Sequence, residues 1–153
     1  MPHHELLACL LHEQEAVNAF IELLQQESQA LVARAAPAAL GEITERKQLA
    51  AERLAALGNE RDAVLHSLGF AAGHAGTEAA AARYLDVAPV WQALLEASAT
   101  AKQLNERNGV LIATHLRFNQ DALAALRSAS GANLYGANGR QPAIGSLSAP
   151  RRA

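Results

Sequence analysis

Six histidines, one cysteine and 15 acidic residues are the side chains able to do chemistry in this 153-residue chain. Their spacing limits which chemistry that is. A di-iron or di-manganese site in a helical bundle takes Glu-x-x-His from each of two helices. The residues three positions before His12, His66, His74 and His115 are Cys9, Ala63, Ala71 and Ile112, so that motif is missing. Cys9 and His12 are spaced to supply two ligands, but no further pair completes a tetrahedral set. His3 and His4 read as solvated side chains near the start, and Cys9 as a small, buried or half-buried one. No Gly-x-Ser-x-Gly, no Gly-rich phosphate loop ending in Lys-Ser/Thr and no Gly-x-Gly-x-x-Gly is present. Glu13, Glu15, Glu22 and Glu27 fall on the polar face of an amphipathic helix, where solvation explains them. The expectation is a protein with no catalytic residue, no cofactor and no metal.

Composition says which elements carry these residues. The chain holds 36 Ala and 23 Leu against 4 Ile and 6 Val, and only 4% of residues are aromatic. Ala and Leu lose little freedom in a helix, whereas β-branched and aromatic residues are what strands use. An all-α fold follows, with a thin core because Ala buries little area. A formal charge of −2 gives no drive toward nucleic acid. No apolar run approaches the ~20 residues needed to span a bilayer, so no stable membrane insertion is expected. The first residues lack a basic region and a secretory apolar stretch. A lone cysteine forms no intrachain disulfide, and a cytoplasmic protein is expected.

Three long helices are expected, at about residues 3–35, 38–68 and 86–127, as an elongated antiparallel coil or bundle. In the first, Leu10, Val17, Leu24 and Leu31 recur every seven residues, and Pro37 ends it. In the second, Leu40, Ile43, Lys47, Ala50, Leu54, Leu57, Arg61, Val64 and Leu68 mark one face, with Lys47 and Arg61 as charged interruptions. Residues 69–83 lose this periodicity; their glycines argue for an Ala/Gly-rich loop, with Thr77 as cap of a short turn. Asp86 is the expected N-cap of the third helix. That helix carries an apolar stripe wider than one packing partner needs, which points to a second client. Residues 128–153, rich in Gly, Ser, Ala and Asn, read as a flexible tail.

Two local anomalies stand out. Asn105, Asn108 and Gly109 lie inside the third helix, where propensity disfavours all three. They mark either a close helix crossing at Gly109, with Asn108 satisfying a partner's backbone, or a contact site in a partner-binding helix. Tyr135 lies between Leu134 and Gly136 in the tail, as a short recognition element or as a latch folded onto the bundle.

Trp91-Gln92-Ala93, Leu104-Asn105-x-x-Asn108-Gly109-x-Leu111-Ile112, Asn119-Gln120-x-Ala122-Leu123-x-x-Leu126 and Leu134-Tyr135-Gly136-x-Asn138-Gly139 together resemble the FlgN family of flagellar type III export chaperones. The likeness covers roughly residues 90–140, with a weaker echo at Ile43-Thr44-Glu45-x-Lys47. It implies a cytoplasmic chaperone for hook-associated proteins 1 and 3, the hook–filament junction proteins. Such a chaperone prevents their premature assembly and delivers them to the flagellar export gate and its associated export apparatus. The resemblance implies client binding by Leu104, Asn108, Leu111, Ile112, Leu116, Leu123 and Leu126, and docking on the gate by Tyr135. Asn138 stands where family members often carry an acid. The alternative from the residues alone is a structural coiled-coil or self-associating scaffold, motivated by the heptad seam in the first helix.

Overall fold

The computed structural model describes residues 3–137, and the side chains of residues 3–129. It contains α1 (His3–Val32), α2 (Pro37–Ser67), α3 (Gly73–Arg83) and α4 (Val87–Ala137), and no strand among the described residues. The fold is all-α, and among the described residues the short α3 stands beside three long helices. The chain divides into two compact units, residues 1–110 and 111–153.

The first unit is held by the heptad seam of α1. Leu10, Val17, Leu24 and Leu31 are all buried, together with Leu6 and Leu23. Leu6, Leu10, Val17 and Leu24 form one core with Leu65 of α2, Ala80 and Ala81 of α3, and Val87, Trp91, Leu94 and Ala101 of α4. Every position of the expected α2 face is buried or half-buried, although Leu65, beside that face, is the deepest. Both helix ends follow from local chemistry. Arg34 takes φ 53°, and the Ala35 N–H reaches back to the Ala30 carbonyl at 2.9 Å, closing α1. Pro37 is then the first residue of α2, a position that has no use for its missing N–H. At the other end Gly69 adopts φ 86°, and the Phe70 N–H bonds the Leu65 carbonyl at 2.9 Å. This is a Schellman stop, which needs a left-handed residue and explains a glycine there.

Charged residues set how the helices align. Arg61 bonds Glu13 at 2.9 Å and Lys47 bonds Glu27 at 3.0 Å. Numbering thus rises along α1 as it falls along α2, so these two run in opposite senses. Asn108 of α4 bonds the Leu24 carbonyl of α1 at 2.8 Å, and His3 lies 3.1 Å from Asp86 just before α4. In the first unit α4 therefore runs in the same sense as α1 and opposite to α2, so the long helices alternate in direction along the chain. A fully solvated acidic face on α1 is corrected too: Glu15 and Glu22 are exposed, but Glu13 and Glu27 are buried against cations of α2.

The segment expected as a loop, 69–83, contains α3, which turns the chain so that α4 can run with α1. Its first N–H, on Gly73, donates to the Asp62 carboxylate at 2.8 Å, satisfying a donor that a helix start leaves open. Thr77 lies inside the helix, where its hydroxyl donates to the Gly73 carbonyl at 2.8 Å, and is not a cap. Gly76 is pressed against the Ala71 backbone, leaving no room for a Cβ. Glycine that looks like a helix breaker is here what lets backbone approach backbone. Trp91 of α4 donates its indole N–H to Glu78 of α3 at 2.6 Å.

The tail boundary also moves. α4 continues through Ser128 to Ala137 instead of ending near 127. Extending an established helix adds a hydrogen bond for each residue fixed, and that outweighs the weak propensity of Ser and Gly here. The Tyr135 backbone is therefore helical, and its side chain lies outside the described residues, as do residues 138–153. No helix among the described residues is long and apolar enough to cross a membrane.

Candidate partner-binding surface

In the second unit the helical repeat gathers Ile112, Leu116, Asn119, Leu123 and Leu126 on one face, in steps of four and three. All five are exposed, the leucines and isoleucine by 46–63%. Leu111 and His115 flank this face half-buried, and Phe118 is a further exposed aromatic. The spacing is that of a coiled-coil seam, with one asparagine in its middle. Such a surface can bury apolar area against another helix, and Asn119 would then favour one register over others. It offers no nucleophile, acid or base in a cavity.

The residues expected to bind a client do not form one surface. Ile112, Leu116, Leu123 and Leu126 lie together on the exposed face. Leu104 is half-buried against the core of the first unit. Asn108 is almost fully buried at 1% exposure, its amide donating to the Leu24 carbonyl and, at 2.9 Å, to Glu27 Oε1. Of its two readings from sequence, the structure assigns Asn108 to satisfying a partner's backbone. The close crossing does not fall at Gly109, whose added Cβ would meet nothing within 4 Å. Asn119 and Phe118 were absent from the expected set. The four-three spacing around Asn119 was the signal that would have found it.

Beneath Asn108 lies a polar cluster inside the first unit. Lys47 Nζ bonds both Glu27 oxygens, at 3.0 and 3.1 Å, and donates to Asn105 Oδ1 at 3.2 Å. Asn105 and Asn108 thus serve one purpose, tying α4 to the α1–α2 pair. A second cluster joins Arg61 and Glu13, with the guanidinium 5.9 Å from the Trp91 ring centroid. Burial pushes the Glu13 carboxyl above its ordinary range; Arg61 opposes this and Asp62 adds to it. Burial also pushes the Cys9 thiol up, reinforced by Glu60, Glu13 and Glu5. A thiol so held is a poor nucleophile and a poor metal ligand at neutral pH.

The family model described as FlgN protein matches residues 1–143. Two curated relatives named Flagella synthesis protein FlgN, from Salmonella typhimurium and Salmonella typhi, are each 38% identical over 55 residues. That match covers 36% of this chain and 39% of either relative, so the likeness to them is partial. No solved structure matches. With the family model matching nearly the whole sequence, the chain belongs to the FlgN family.

Proposed function

We propose that this protein acts in flagella synthesis as a cytoplasmic, non-catalytic export chaperone. Its clients are hook-associated proteins 1 and 3, which it keeps from assembling early and delivers to the type III export gate and associated apparatus. Family membership and the names of the two relatives support the flagellar assignment. The observation that carries the chaperone reading is the exposed seam of Ile112, Leu116, Leu123 and Leu126. An amphipathic segment of a client lies along it helix to helix, each leucine contributing up to about 1.5–3 kcal/mol when fully buried. Leu111 borders that contact, while Leu104 and Asn108 pack within the first unit. Tyr135 is assigned to docking on the gate.

Co-purification with each hook-associated protein tests the reading. Ile112→Ala with Leu116→Ala should weaken client capture while the far-ultraviolet helical signal stays unchanged. Tyr135→Ala should spare client capture and lower motility. Full client binding by the double variant would remove the seam from the mechanism. The scaffold alternative finds support in the same four-three spacing around Asn119. Light scattering across a range of concentrations separates the two, because a scaffold forms stable oligomers without any client.

A further inference from the structure

The geometry points to a binding site for a divalent transition metal, zinc above all, formed by His3, His4 and Asp86 where the starts of α1 and α4 meet. His3 and His4 open α1, and Asp86 immediately precedes α4. One ligand atom from each of the three lies within 4.8 Å of the other two. His3 Nε2 and Asp86 Oδ2 are 3.1 Å apart. Two ligands at zinc bonding distance in a tetrahedral site are about 3.3 Å apart, so this pair already stands at ligand spacing. A small rotation of the exposed His4 ring, whose centroid is 4.9 Å from that of His3, completes three corners and leaves the fourth for water.

The His3 ring is held in place. It stacks on Tyr84 with centroids 4.4 Å apart and planes 13° from parallel. Tyr84 in turn sits edge-on to Phe70, which packs on the core. Fixing a ligating imidazole through neighbours that do not touch the metal is a recurring feature of metal sites. Two imidazoles and one carboxylate suit zinc, cobalt or nickel, and disfavour magnesium or calcium, which take oxygen ligands. The partial positive charge at two helix starts opposes a cation, and the Asp86 carboxylate offsets it. Bound metal joins residues that are 80 or more positions apart in sequence, so it clamps the first unit at one end.

Titration of the untagged full chain, stripped of metal with a chelator, tests the site. Zinc should bind with one equivalent by calorimetry and raise the midpoint of thermal unfolding, since the three ligands converge only in the folded chain. Cobalt should give the intense visible absorption of tetrahedral coordination, and excess magnesium should not compete. His4→Ala and Asp86→Asn should each weaken zinc by about tenfold or more, the scale of even indirect losses at metal sites. His4 is exposed, so that variant keeps its fold even should Asp86→Asn disturb the start of α4. Unchanged zinc affinity in His4→Ala, or no zinc binding by the wild type at tens of micromolar, overturns the proposal.

Discussion

Ionising Glu13 costs more in its place on α1 than it would in water, because the desolvation that raises its pKa outweighs the attraction of Arg61. The sign of the resulting pH dependence follows. A carboxyl whose native pKa lies above its unfolded value favours the fold when protonated. That contribution is fully present below the ordinary carboxylate range and is lost as pH rises through the raised native value. Wild type should therefore lose stability relative to Glu13→Gln over that window, read as urea midpoints at a series of pH values. A difference that stays flat there would place the cost elsewhere. Periodicity puts Glu13 and Glu27 on a solvated acidic face, and both are buried. Their spacing contained the information: they fall three residues after Leu10 and Leu24, at seam positions of the heptad, and Arg61 and Lys47 interrupt the facing stripe with the same interval. Paired interruptions at matching intervals on two helices are a register device, and residue spacing alone is enough to recognise them.

At the scale of the helix, the informative contrast is between glycines. Gly69 and Gly73 take positive φ, and Gly76 is pressed on backbone, so each is needed where it stands. Gly109 has ordinary helical geometry, is exposed, and has open space around it. Gly109→Ala should raise the unfolding free energy by up to about 1 kcal/mol, the intrinsic propensity difference, as read by urea denaturation. Loss of stability instead would mean that the helix depends on the glycine for a close approach. The long helices α1, α2 and α4 were legible from periodicity because their faces bury leucines at steps of three and four. α3 was not, because its stability comes from contacts with residues outside the helix itself. Asp62 caps its first N–H, Ala71 fits against Gly76, and Trp91 reaches Glu78. Local propensity reads only the glycines, and tertiary partners decide what they do.

Taken whole, the molecule divides work along α4. Up to Val110 the helix spends its apolar and amide side chains on the first unit: Val87, Trp91, Leu94 and Ala101 in the core, Asn108 on α1. From Leu111 to Leu126 the large apolar residues are half-buried or exposed. The resemblance to the family implies a client-binding set that runs from Leu104 to Leu126 across this division, and the single helical period there does not mark where the packing partner stops. Stability and binding should therefore separate at Val110. Asn108→Ala removes an amide bonded to both a buried carboxylate and a backbone carbonyl, and should lower the unfolding free energy by about 1–3 kcal/mol. Leu116→Ala, at an exposed position, should change it by less than about 0.5 kcal/mol, yet weaken client capture. Urea midpoints measured beside co-purification, under conditions where Asn108→Ala remains folded, distinguish the two roles. If Asn108→Ala left stability untouched and abolished capture, Asn108 would belong to the client surface, and the first unit would have to open there to bind.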